Sequence, residues 1–200
     1  MNALYIVGDP IEDKEYYDSY LSKLFMNQFK DIKVKNFEYW RVYGIVSYKK
    51  SVINKAIHHG FQIGKKAYNV KVPEQVIKSN DNKIIISFLR GLFDTDGSFW
   101  CEKSYSKYSN VWKRTHNYHP EIKIASCSKN LLQQCKELLD KLSIESKVVQ
   151  KNKKGFKCNR NINNSYALNI RKIDEIKKWF KLIGTSNPRH QTRYAVWNKL

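Results

Sequence analysis

Residues 87–100 read Ser-Phe-Leu-Arg-Gly-Leu-Phe-Asp-Thr-Asp-Gly-Ser-Phe-Trp, and this stretch decides the fold. Phe88, Leu89, Leu92 and Phe93 are apolar at helical spacing. Ser87, Gly91 and Thr95 fall four apart and form a stripe of small residues. That spacing recurs where another backbone comes close to a helix. The helix then ends on two carboxylates, Asp94 and Asp96, where its dipole disfavours negative charge. Lys or Arg suits that position better, and the chain has 37 of them against 18 acids. Two acids in the least favourable place of a basic chain point to a bound cation. Gly97 permits a sharp exit, and Ser98-Phe99-Trp100 begins a strand.

Taken alone, Asp-x-Asp-Gly also describes a helix-to-strand corner whose Asp side chains bond nearby backbone. A calcium loop is a third reading, but it needs a Glu six residues after the Gly, where Lys103 stands. The longer string is more specific. Leu89 to Gly97 resembles the LAGLIDADG motif of the homing endonucleases. Leu, Gly, Leu, Asp, Asp and Gly match, Phe93 replaces Ile, and Arg90 and Thr95 take the two Ala positions.

The resemblance implies an α+β fold of two pseudo-symmetric half-domains, whose curved antiparallel sheets form a DNA-binding saddle and whose motif helices pack together. It also implies that Asp96 holds a divalent metal at the scissile phosphate, with the main-chain carbonyl of Thr95 as a second ligand. Gly91, Asp94 and Gly97 are then motif-supporting residues. Carboxylate and water ligands suit Mg²⁺ or Mn²⁺.

Composition agrees with a nucleic-acid partner. The formal charge is +19 and the pI near 9.7, and neutralising phosphates with Lys and Arg drives affinity for nucleic acid. A membrane surface is the rival, but no long apolar run and no signal peptide appears. The basic residues are spread through strands and loops, not along one amphipathic helix. Hydrophobic content of 42% supports a packed core. Cys101, Cys127, Cys135 and Cys158 show no Cys-x-x-Cys pairing, so a reduced, cytoplasmic protein is expected. His116 and His119 near Cys101 lack a fourth ligand and zinc spacing.

Around the motif, the chain alternates strand and helix. Ala3–Val7 reads as a strand and Gly8-Asp9-Pro10 as a turn. Asp9 then N-caps a helix that runs to about Phe29 and buries Ile11, Tyr16 or Tyr17, Leu21, Leu24 and Phe25. Strands follow at Ile32–Lys35 and Glu38–Tyr48, then a helix capped by Ser51, a basic Gly64-Lys65-Lys66 loop and a short helix after Pro73. Residues 79–82 are the clearest linker. Beyond the motif come a polar hairpin over 104–119, a strand at Ile122–Ala125 and a helix capped by Ser128. Strands at Val148–Lys151 and Tyr166–Ile170, a helix at Ile173–Leu182 and a tail from Gly184 complete the chain.

Set side by side, the two parts form an internal repeat. Strand, turn, helix, strand, strand and helix occur from residue 5 and again from residue 122. Only the second copy is preceded by a motif helix and its hairpin. The expected division is residues 1–79, a half-domain without its motif helix, and residues 80–200, a half-domain with one. The chain thus resembles a two-motif family member from just after its first motif, with a second chain as one possible source of the missing helix.

For phosphodiester chemistry, the family places a basic residue near the end of each half. That points to Lys65 or Lys66 in the first and Arg189 or Arg193 in the second; Lys66 and Arg189 are taken as catalytic, Lys65 and Arg193 as DNA contacts. Further DNA-facing candidates are Arg41, Lys103, Lys113, Arg114, Lys123, Lys153, Lys157 and Arg160. The expected function is metal-dependent, sequence-specific cleavage of double-stranded DNA of the homing type. A regulator or maturase that binds DNA or RNA without cutting is the alternative.

Overall fold

The computed structural model describes residues 3–29, 33–37, 41–61, 63–64, 67–101, 119–152, 155–157 and 160–198. Two open antiparallel sheets organise them. The first has the order β1 (Leu4–Gly8), β3 (Val42–Ser47), β2 (Lys33–Phe37). The second has the order β4 (Gly97–Cys101), β5 (Pro120–Ser126), β9 (Ser165–Ile170), β6 (Lys147–Asn152). Strands β1-β3-β2 repeat the order β5-β9-β6, so the repeat read from the sequence is present in the topology. β4 of the second sheet has no counterpart in the first among the described residues.

The helices follow the same repeat. In the first copy Asp9 accepts hydrogen bonds from the backbone of Ile11 and Glu12, both at 2.8 Å, which makes a capped turn over Pro10–Asp13. The helix itself starts later than the sequence suggests, as α1 (Lys14–Tyr16). It widens into a π-helical stretch at Tyr17–Leu21 and continues as α2 (Ser22–Gln28). Two side chains expected in the core are exposed: Ile11 at 88% and Leu24 at 45%. Ile11 lies in the capped turn, before the amphipathic periodicity begins. α3 (Lys50–His58) and α4 (Glu74–Ile77) complete the part before the motif. The cap of α3 is Lys49, so the expected Ser51 lies inside the helix.

The motif helix is α5 (Asn82–Asp96), capped by Asp81 through the Lys83 amide. It leads without a break into β4. α6 (Lys129–Lys141) is capped by Ser128, as its sequence predicts. The basic stretch after β6 forms a small hairpin, β7 (Gly155–Lys157) with β8 (Arg160–Ile162). α7 (Ile173–Leu182) comes next. The tail, to which the sequence reading assigned no element, holds a further helix, α8 (Pro188–Trp197). Its start is readable: Asn187 is the N-cap and Pro188 takes the first helical position.

Two apolar clusters hold the layers. The larger joins Leu89 and Phe93 of α5 to Ile122, Ile124, Leu132, Leu139, Leu168 and Trp179. The smaller joins Tyr16, Tyr17, Leu21, Tyr43, Ile45 and Val52. Val72 and Val76, which precede the expected boundary at 79/80, belong to the larger cluster. Their segment is fastened there by Val72 N–H to Gln134 and by the Ser128 hydroxyl to the Val70 carbonyl. Among the described residues no helix is long and apolar enough to cross a membrane.

Candidate metal centre and nucleic-acid interface

At the C-terminal end of α5 the two motif acids have opposite surroundings. Asp94 is buried, whereas Asp96 faces solvent. Asp94 accepts hydrogen bonds from the Thr185 hydroxyl and from the Ser186 amide at 2.9 Å. Burial raises its pKa, against the lowering effect of those donors and of the Arg90 charge. Asp94 is therefore a fixed joint between α5 and the loop before α8. Asp96, next to it, receives a hydrogen bond from Thr95 Oγ1 at 3.3 Å.

The corner at Gly97 is tight for a different reason from the expected one. Its φ of −88° is ordinary extended backbone. A Cβ there would meet Phe93 Cδ2 at 2.3 Å and the Phe93 carbonyl oxygen at 2.5 Å. Glycine is required by closeness, not by backbone handedness. Gly91, by contrast, has nothing within 4 Å of where its Cβ would be. Thr95 bonds its hydroxyl back to the Gly91 and Leu92 carbonyls. Arg90 donates to the Ile183 carbonyl at 2.6 Å, bracing α5 against the end of α7.

Asn187 is the side chain at the centre, and the sequence reading did not single it out. Fully buried, it donates from Nδ2 to the Asp94 carbonyl at 2.9 Å and to Asp13 Oδ1 at 3.3 Å. The Asp94 carbonyl is one of those that a helix end leaves without an internal donor. One amide thus joins the motif helix to the start of α1 in the other half. Its position as N-cap before a proline was the available signal. Nearby, Tyr17 is held well above its ordinary pKa by burial first, then by the charges of Asp13 and Asp96.

The predicted cations are arranged unevenly. Arg189 is mostly buried and pairs with Glu12 at 2.7 Å and Asp13 at 3.3 Å. Arg193 approaches Glu12 at 3.6 Å. Both lie at the junction of the halves. Arg41 is exposed in the turn into β3, with φ of 49°. Lys123 lies in the middle of the second sheet, in a row that runs Ser98, Lys123, Asn169, Lys147 across all four strands. Their neighbours along the strands, Phe99, Ile122, Ile124, Leu168 and Ile170, point into the core, so this row lies on the opposite face. Trp100, 53% exposed, is on that face too. Lys157 and Arg160 pair across the β7–β8 hairpin, with side chains outside the described set. Lys65, Lys66, Lys103, Lys113, Arg114 and Lys153 lie outside the described residues.

The donor set at the end of α5 suits a hard cation. Asp96 offers a solvent-facing carboxylate, and Thr95 contributes a carbonyl from the last turn, where helix geometry leaves acceptors over. Among the described residues no three His, Cys, Asp or Glu side chains gather into a metal-binding group. A sparse set of oxygens fits Mg²⁺, which keeps several waters and takes further ligands from phosphate.

A family model described as LAGLIDADG-like domain matches residues 83–184, from the start of α5 to the loop after α7. The uncharacterized protein MJ0314 of Methanocaldococcus jannaschii is 29% identical over 146 residues, 72% of this chain and 48% of that protein. The chain thus spans about half the length of this relative. Among solved structures, the homing endonuclease I-DmoI in complex with DNA and Ca matches with a TM-score of 0.59 at 15% identity, over 98% of this chain and 83% of that one. I-DmoI in complex with DNA and Mn gives 0.55 at 16% identity, over 91% and 80%. The N-terminal LAGLIDADG domain of DUF199/WhiA gives 0.51 at 18% identity, over 90% and 71%.

Proposed function

The chain belongs to the LAGLIDADG-like family, and from that footing we propose that it binds double-stranded DNA across its sheets and hydrolyses a phosphodiester beside Asp96. The observation that carries this reading is the sorting of the two motif acids. Asp94 is buried among donors from residues 185 and 186, and Asp96 stands exposed at a helix end that disfavours negative charge.

Each residue then has a separate task. Asp94, Asn187 and Thr185 hold the end of α5 in place, so that Asp96 projects at a fixed position. Asp96 and the Thr95 carbonyl would hold Mg²⁺ or Mn²⁺. When bound, such an ion supplies charge stabilisation at the phosphate and an activated water. The structural relatives named above, in complex with DNA and with Mn or Ca, support a divalent ion and a DNA partner. The Lys123 row would lie along the duplex, with Lys123 and Lys147 contacting phosphate and Ser98 offering a hydrogen bond to a base edge. Arg189 serves better as a strut between the halves than as a cation at the scissile phosphate, because Glu12 and Asp13 already neutralise it.

A second reading is binding of DNA or RNA without cleavage, on a fold also found in the N-terminal LAGLIDADG domain of DUF199/WhiA. The two are separated by incubating the chain with a randomised double-stranded DNA library and Mg²⁺, beside Asp96→Asn. The nuclease reading expects strand breaks that Asp96→Asn abolishes, as nicks if one site works alone. Salt-sensitive binding with no Asp96-dependent break would sink it and leave the binding protein.

A further inference from the structure

At the end of the second sheet away from Asp96, three side chains stand in one row. Trp100 of β4 pairs with Glu121 of β5. Arg171, which follows β9 directly, donates from Nε to Glu121 Oε1 at 2.8 Å. Phe99, Ile122 and Ile170 beside them lie in the core, so alternation puts this row on the open face that also carries Lys123. Lys123 is two residues from Glu121 along β5, on the side nearer Asp96.

The ion pair is built unevenly. The Glu121 side chain is 16% exposed and that of Arg171 is 70% exposed. The acid is mostly enclosed, and the arginine stands in solvent. Their bond uses Nε, one of five N–H donors on a planar guanidinium. The other four belong to Nη1 and Nη2, at the far end of the side chain.

Neither stability nor general attraction to a polyanion accounts for this arrangement. An ion pair with one partner so exposed contributes little to stability. Neutralising phosphates requires positive charge, and Glu121 cancels that of Arg171. Reading a base has different needs. Guanine presents O6 and N7 in the major groove as adjacent acceptors, which one guanidinium meets bidentately. A carboxylate on Nε fixes the plane of that guanidinium and reduces its attraction to phosphate, which every sequence shares.

We propose that Arg171 reads a guanine of the target duplex and that Glu121 is its positioning residue. The inference rests on the reading that the chain binds double-stranded DNA across its sheets, and it does not require cleavage. Lys123 and Lys147 then contact phosphate, while Arg171 selects a base farther from Asp96 than the Lys123 row.

The test selects bound sequences from a randomised duplex library with the full 200-residue chain, without divalent ions so that nothing is cut. Each recurrent guanine is then replaced in turn by 7-deazaguanine, which pairs normally but lacks N7. At one guanine the replacement is expected to weaken wild-type binding about fivefold or more, and Arg171→Met binding less than about twofold. Glu121→Gln is expected to lose less than wild type at that guanine. It should also bind unselected duplex at least as tightly, because a negative charge has left the interface. A clasp that only ties strand ends would leave the guanine preference the same in all three proteins. Equal losses in wild type and Arg171→Met at every guanine, or a selected pool with no recurrent guanine, would overturn this proposal alone. Absence of salt-sensitive binding to any duplex would overturn the DNA-binding reading, and this proposal with it.

Discussion

His190 shows how much one side chain at the junction can report. It is fully buried in α8, its ring 4.5 Å from that of Phe93. Burial, with the charges of Arg189 and Arg193, pushes its pKa from 6.5 down to about 3. The folded chain therefore holds the neutral ring while the unfolded chain takes up a proton below about 6.5. Stability present above that pH is lost as the pH falls toward 3, at up to about 1.4 kcal/mol per pH unit. Asp94, with its pKa raised, acts in the opposite direction near and above 3.8. The contribution of His190 is thus read as wild type minus His190→Leu in urea unfolding. The variant is expected to lose less stability than wild type between pH 6.5 and 4.5; equal losses would show that His190 is not buried in its neutral form.

At the scale of elements, α5 carries the argument. Its apolar spacing and its ending at Gly97 were legible, because each is a local property of a helix; its cap, Asp81, lies in the stretch read as a linker. The role of Gly97 was legible only in kind: a small residue is needed, but closeness to Phe93 is the cause. Gly91 tests the same distinction. Its Cβ position is open, so Gly91→Ala is expected to stabilise the isolated chain by about 0.8–1 kcal/mol through helix propensity. Thermal unfolding would show this as a raised Tm. A lowered Tm would mean that the helix meets a neighbour there after all. α8 is an element that the sequence marked, by Asn187-Pro188, within a stretch read only as a tail. Its hydrophobic spacing, Tyr194 with Trp197, is too short to stand out by periodicity.

Across the whole molecule, charge and topology have separate consequences. A chain of +19 is expected to bind DNA with an affinity that falls linearly in log–log form as salt rises, by about 0.9 per phosphate contacted. Lys123, at the centre of the sheet row, is expected to supply one such contact. Lys123→Ala should make the slope shallower by about 1 and weaken binding to all sequences alike. An unchanged slope measured by fluorescence titration would remove the second sheet from the interface.

The motif, the repeat and the charge were determined by the sequence alone. Helical spacing, strand alternation, caps and net charge are set by residues close together in the chain. The fold class and the family followed from them. The tertiary structure decided which of two adjacent acids is buried and which faces solvent, and that Arg189 is neutralised by Glu12 and Asp13. It also decided that Asn187 bonds both the motif helix and Asp13, which lies 174 residues away from it. These depend on groups brought together by packing from distant parts of the chain. Local pattern carries no information about the distance between them.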